Sequence, residues 1–227
     1  MIGNLPNVPI RPGSMGKCLP DSWYTVTLLD SNGSQVPDGE EGEISVKSTP
    51  HPPGLFLGYL GRNASKVFSG EFYRTGDRAV RDSDGYFWFV GRSDDVIKTS
   101  DYRVGPFEIE SCLIEHPAVL ESAVIGRPDL LRGQVVKAFV SLRAGYSASR
   151  LLADELFQFT RQHLAHMKCP RVIEFAVELP KTASGKIRRV ELREGEERRF
   201  RERKERGEKE TERENEFFHG KKGHSKL

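Results

Sequence analysis

The chain has 227 residues, with 37% hydrophobic, 30% charged and a net charge of +2. That length suits one or two domains, and so small a net charge gives no electrostatic argument for nucleic acid or a membrane surface. Its three cysteines (Cys18, Cys112, Cys169) form no Cys-x-x-Cys pair, which speaks against a zinc site or a disulfide framework.

Residues 1–16 are rich in Pro, Gly and Asn and read as irregular, because Pro6, Pro9 and Pro12 lack backbone donors. They have neither the apolar core of a signal peptide nor the Arg-rich amphipathicity of a presequence, and no run in the chain is long enough for a membrane span. Residues 17–90 read as a small β-rich unit. Tyr24–Leu29 and Glu43–Lys47 carry strand patterns around the turn signals at Asp30-Ser31-Asn32-Gly33 and Pro37-Asp38-Gly39. Three short strands follow, Phe72–Thr75, Arg78–Arg81 and Tyr86–Val90, separated by Gly or Asp turns. The expectation is a small antiparallel sheet or distorted barrel.

Residues 91–193 read as an α+β domain. Pro106 suits a first helical turn, and Phe107, Ile109, Leu113 and Ile114 give that helix an apolar side before Pro117 stops it. Val119–Ile125 and Val135–Leu142 are expected strands. Ser149–Met167 is the clearest helix, with Leu152, Leu156, Phe159 and His163 at helical spacing, and Val172–Val177 is a further strand. Residues 194–227 are dominated by Glu, Arg and Lys. Pairs such as Glu194/Arg198 and Glu202/Arg206 favour helix by about 0.2–0.5 kcal/mol each, while Gly195 and Gly207 oppose it by about 1 kcal/mol each. The reading is a solvated, frayed helix or disorder. Phe217–Lys222 has no pattern that assigns it.

Three motifs stand in order: Tyr73-Arg74-Thr75-Gly76-Asp77, Gly91-Arg92-Ser93-Asp94-Asp95-Val96-Ile97-Lys98, and Pro180-Lys181-Thr182-Ala183-Ser184-Gly185-Lys186-Ile187-Arg188-Arg189. Together they resemble the adenylate-forming superfamily. Glu115-His116-Pro117-Ala118-Val119 and Arg132-Gly133 look most like its medium-chain acyl-CoA synthetases. The resemblance runs from Ile10 to Leu192 and implies joining a carboxylate to ATP as an acyl-adenylate, then passing the acyl group to CoA, with Mg2+ accompanying ATP. It gives Asp77 the ribose hydroxyls of the nucleotide, a diol that two carboxylate acceptors suit. Arg92 also holds the nucleotide, and Asp94 is the hinge about which the smaller domain turns. Lys186 becomes the catalytic lysine, its ammonium lying between carboxylate and α-phosphate. Ser100, Arg103 and Arg132 face CoA, since a guanidinium fork suits phosphate. Each residue also has a bland alternative: a turn aspartate, a surface ion pair from Arg92 to Asp94 or Asp95, a solvated lysine in a basic run.

The sequence departs from the family in two ways. Asp101 replaces a glycine expected before Tyr102, where the pantetheine arm would pass, and weakened thioester formation is expected. The Ser/Thr/Gly-rich phosphate loop and the acyl pocket are absent from these residues. Two readings therefore stand: a fragment or truncated form of an ATP-dependent medium-chain acyl-CoA ligase, not competent alone, or a non-enzymatic module that partners a full-length synthetase. The family resemblance implies the mitochondrial matrix, although these residues hold no targeting sequence. Nucleic-acid binding by the tail is disfavoured, because its acids nearly cancel its bases.

Overall fold

The computed structural model describes residues 1–19, 23–58, 68–207 and 215–220. They form two compact units, Met1–Asp94 and Asp95–Leu227.

The first unit is built on β1 (Ile2–Gly3), β2 (Gly16–Cys18), β3 (Val26–Leu29), β4 (Glu41–Lys47), β5 (Phe68–Ser69), β6 (Phe72–Arg81) and β7 (Tyr86–Arg92). They make one seven-stranded sheet in the order β1-β2-β7-β6-β4-β3, with β5 on β6. Every pairing is antiparallel. Leu28, Ile44, Ala79 and Phe87 form its core, with Ile2, Met15 and Val26 against them. The 1–16 segment is less irregular than its prolines suggest. β1 pairs with β2, and Gly16 makes this possible: at φ +89° a Cβ there would stand 2.1 Å from the Gly3 carbonyl oxygen. Arg11 donates to Asp82 at 2.8 Å and the Tyr86 hydroxyl donates to the Pro9 carbonyl at 2.6 Å, which ties the segment to β7 and its turn. The expected pair of strands around Gly76 is a single ten-residue strand, β6. Its ladder with β4 steps from Arg74↔Ser45 to Arg78↔Glu43, so Thr75, Gly76 and Asp77 form a bulge where the sequence suggests a turn.

The second unit contains β8 (Ile97–Thr99), β9 (Tyr102–Val104), α1 (Pro106–Ile114), β10 (Val119–Asp129), β11 (Gly133–Leu142), α2 (Arg150–His163), β12 (Val172–Phe175), α3 (Arg189–Arg206) and β13 (Glu216–Phe218). The strands run β13-β12-β11-β8-β9, with β10 on the other edge of β11, and β11–β12 is parallel. Alternation along β10 and β11 gives the sheet two buried faces. Val124, Val136, Ala138 and Val140 pack with Ile109 and Leu113 of α1 and Leu152 and Leu156 of α2. Ala123, Ile125 and Phe139 point the other way, towards Leu179, Ile187 and Leu192. Ser149 caps α2, its hydroxyl accepting from the Leu152 amide at 3.2 Å. α2 ends at His163, short of Met167, because Leu164 turns extended (φ −124°) and packs on the core; residues 166–168 form a separate 3-10 turn.

The largest departure is the tail. Its helix forms, but it is not a solvated appendage. Glu196 of α3 and Glu216 of β13 are both 0% exposed, and Phe218 is buried as β13 pairs with β12. Their partners are Arg127 and Lys137, also 0% exposed, on the same sheet face as Ile125 and Phe139. Lys137 Nζ donates to Glu216 and Glu174 at 2.6 Å and to Glu196 at 2.9 Å. Arg127 Nε lies 3.1 Å from Glu196, and Arg199 donates to Glu196 at 2.6 Å. The cluster balances the cations Arg127, Lys137 and Arg199 against the anions Glu174, Glu196 and Glu216. A buried charge is tolerated only when paired in this way. Burial would raise the carboxyl pKa of Glu196, but the Lys137 ammonium, its hydrogen bond and then Arg127 and Arg199 outweigh that and hold it below the ordinary glutamate value. Residues 208–214 and 221–227 lie outside the described residues, as does Tyr59–Val67.

Candidate functional site

In the first unit the β6 bulge sets Asp77 opposite Arg92 of β7. Arg92 Nη1 donates to the Asp77 carboxylate at 3.3 Å, and its Nε donates to Asp94 at 3.1 Å. All three side chains are at least 38% exposed, so the group faces solvent with its charges half balanced. The bland reading of Arg92 is what the geometry holds, an ion pair with Asp77 and Asp94, and the pair is accessible to solvent. Gly76 is required here. It sits at φ +82°, and a Cβ would come within 3.0 Å of Arg92 Nη2. Glu43 braces the bulge from β4, accepting from the Gly76 amide at 3.0 Å and pairing with Arg74 at 3.1 Å. No sequence motif marks Glu43.

In the second unit the β8–β9 hairpin turns through Ser100, at φ +50°, and Asp101. The Ser100 amide donates to the Arg132 carbonyl at 3.0 Å, and Gly133 pairs with Thr99, so the structure brings Ser100 and Arg132 together. Asp129 shapes the Arg132 turn by accepting from the Leu131 and Arg132 amides at 2.9 and 2.8 Å. Gln134 braces the hairpin, its side-chain oxygen accepting from the Lys98 amide at 2.9 Å. Arg103 is exposed on β9, opposite Lys98. A cavity of about 70 Å3 opens beside this hairpin, lined by Tyr102, Arg132, His166, Cys169 and Arg171 among others. Arg171 and His166 belong to no sequence motif and reach the cavity only through the fold. Burial pushes the Cys169 thiol up, which disfavours its thiolate form.

Lys186 stands on a different hairpin of the same unit. Lys181 bridges to Ile187, Thr182 N donates to the Lys186 carbonyl at 2.8 Å, and Gly185 N donates to the Thr182 carbonyl at 2.9 Å. The Thr182 hydroxyl accepts from the Lys186 amide at 3.1 Å. The backbone around Lys186 is thus ordered while its side chain is exposed.

Asp77 offers carboxylate acceptors of the kind a vicinal diol takes, and Arg132, Arg171 and His166 offer donors of the kind a phosphate takes. The carboxylate trio that the described residues bring within 4.8 Å, Glu174, Glu196 and Glu216, encloses the Lys137 ammonium.

The family model of the AMP-binding enzyme C-terminal domain matches residues 108–186, from within α1 to the Lys186 hairpin. The chain belongs with the acyl-CoA synthetases of the adenylate-forming superfamily, matching the portion that includes this domain. It is 54% identical over 199 residues to 4-hydroxybutyrate–CoA ligase 1 of Metallosphaera sedula, covering 87% of this chain and 35% of that protein. It is 52% identical over 197 residues to the mitochondrial acyl-coenzyme A synthetase ACSM3 of Rattus norvegicus, covering 84% and 33%. Among solved structures, an anthranilate CoA ligase in complex with anthranoyl-AMP superposes with TM-score 0.74 at 42% identity, covering 86% and 37%. The chain spans about a third of the length of these relatives. Among the described residues no helix is long and apolar enough to cross a membrane.

Proposed function

We propose that these residues supply the nucleotide- and CoA-facing surfaces of an ATP-dependent ligase for medium-chain carboxylic acids. The observation that carries the reading is Lys186, exposed on an ordered hairpin where the match to the AMP-binding enzyme C-terminal domain ends. A substrate carboxylate attacks the α-phosphorus of ATP, forming acyl-adenylate and releasing pyrophosphate. The Lys186 ammonium spans the two anions as they close, offsetting repulsion that grows towards the transition state. Asp77 accepts the ribose hydroxyls, and Arg92 orients it through the 3.3 Å pair. CoA sulfur then attacks the acyl carbonyl and AMP leaves, with Arg132, Arg103 and Arg171 taking CoA phosphates beside Ser100. Asp94 is the pivot between the two steps, supported by the division of the chain into units after that residue. Mg2+ enters with ATP. Asp101, exposed at the hairpin turn, adds negative charge beside the CoA path and slows the second step.

The 227 residues contain no Ser/Thr/Gly-rich phosphate loop, and the proposal is that they act only together with residues that supply one. The same observation favours a second reading, a module that engages a full-length synthetase. The mitochondrial matrix is the proposed location, supported by the names of the mammalian relatives. The test is a chimera in which residues 1–227 replace the matching third of the Metallosphaera sedula ligase. The proposal expects ATP- and CoA-dependent thioester formation by the chimera and none by the chain alone. A folded but inactive chimera, together with inhibition of a full-length synthetase by the chain in trans, would favour the second reading.

A further inference from the structure

The return arm of the Lys186 hairpin leads directly into α3, with Arg188 N donating to the Pro180 carbonyl at 2.8 Å and Arg189 opening the helix. Three residues on the inward face of α3, at i, i+4 and i+7, are Arg189, Arg193 and Glu196. Each meets an opposite charge on a different part of the second unit. Arg189 grips Glu110 of α1 with both arms, at 2.9 and 2.6 Å. Glu110 is 6% exposed and is itself fixed by the Val124 amide at 2.8 Å. Arg193 pairs with Asp95, which also lies 3.5 Å from Arg189 and is only 10% exposed. Glu196 enters the buried cluster with Arg127 and Lys137. Asp95 is the first residue after Asp94, the proposed pivot.

We propose that α3 is a positioning strut: Arg189, Arg193 and Glu196 lock the Lys186 hairpin to Asp95 and to the sheet, so that the hairpin turns as one body with the segment that follows Asp94. A bidentate arginine pair fixes orientation as well as distance, which an apolar contact does not. The bidentate Arg189 pair and the Arg193–Asp95 pair one turn on together resist both sliding and rotation of the helix. A catalytic group must be held to within a fraction of an ångström of its working place, and a hairpin of seven residues with an exposed tip lacks the packing to do this alone. Arg189 and Arg193 are positioning residues that act through Lys186. Their consequence for catalysis rests on the role of Lys186 proposed above; the mechanical link does not.

Hydrogen exchange on the 227-residue chain tests the link directly. In the Arg189→Met/Arg193→Met variant the amides of Thr182, Gly185, Lys186 and Arg188 should exchange at least tenfold faster. The β10–β11 amides should keep their wild-type rates, and the double Lys variant should restore most of the hairpin protection. If the double Met variant does not fold, Arg193→Met alone carries the test, since Glu110 then keeps its partner. Hairpin rates within twofold of wild type would overturn the proposal. So would equal acceleration of hairpin and β10–β11 amides, which would make α3 a general stabiliser. In the chimera the same variant should lower kcat for adenylate formation tenfold or more and leave KM for ATP within twofold. A chimera inactive in every form would sink the role of Lys186 while the exchange data still decide the strut.

Discussion

Replacing Lys137 with Met removes one cation from a cluster that is otherwise balanced. The ammonium donates to three carboxylates at 2.6–2.9 Å and is 0% exposed, as are Arg127, Glu196 and Glu216. Met fills a similar volume, so the loss is electrostatic: three carboxylates then face only Arg127 and Arg199. Breaking a buried pair in this way costs about 3–5 kcal/mol, which lowers the melting temperature of a unit this size by about 10–20 °C. The chain carries its own control. Both tryptophans, Trp23 and Trp88, lie in the first unit, whereas all three α-helices among the described residues lie in the second. Far-UV circular dichroism at the helix band should therefore show the early transition, and tryptophan fluorescence should not move. The Lys137→Met/Glu216→Gln variant restores charge balance and should recover stability, with a coupling of about 1–3 kcal/mol. A helix transition displaced by less than about 1 kcal/mol, or equal displacement of both signals, would refute the cluster as the anchor of the tail.

The same unit should loosen in mild acid. The Glu196 pKa is lowered, so its stabilisation is complete above the ordinary value of 4.5 and is lost as pH falls through the lower folded value. Burial, then Arg161 and Arg171, lower His219 below 6.5, so its ring contact with Phe157 weakens as pH falls from that value, and amide exchange in β13 should accelerate before that in β10. Gly76→Ala forces a side chain into the left-handed region, at a cost of about 1–2 kcal/mol. It should advance the tryptophan transition, leave the helix band in place and weaken nucleotide binding by the chimera. Asp101→Gly should raise CoA-dependent turnover of the chimera without changing pyrophosphate release in the adenylating step; no gain would show that the aspartate is neutral towards CoA.

Much of this arrangement is legible in the sequence because it rests on local signals. The alternation in Val135–Leu142 marks a strand, Ser149 marks the start of α2, and the motifs mark Asp77, Arg92 and Lys186. What is not legible is long-range. Thr75-Gly76-Asp77 reads as a turn because a bulge needs a partner strand, β4, to define it. The tail reads as solvated because α3 docks through charge. Arg189, Arg193 and Glu196 show no apolar stripe, and their partners Asp95, Glu110, Arg127 and Lys137 are scattered along the chain. Lys137 looks like an interruption in a hydrophobic strand until Glu216, 79 residues later, is seen beside it. Arg171 and His166 are hidden for the same reason: only the fold carries them to Arg132.

The central claim is that Lys186 serves adenylate formation, and the two half-reactions separate that role from general binding. In the chimera, Lys186→Ala should slow acyl-adenylate formation by about 10²–10³-fold, the usual cost of losing one positioned electrostatic group. Thioester formation from preformed acyl-adenylate and CoA should stay within a few-fold of the parent chimera. Equal loss in both half-reactions, or full adenylate formation without the lysine, would contradict the account.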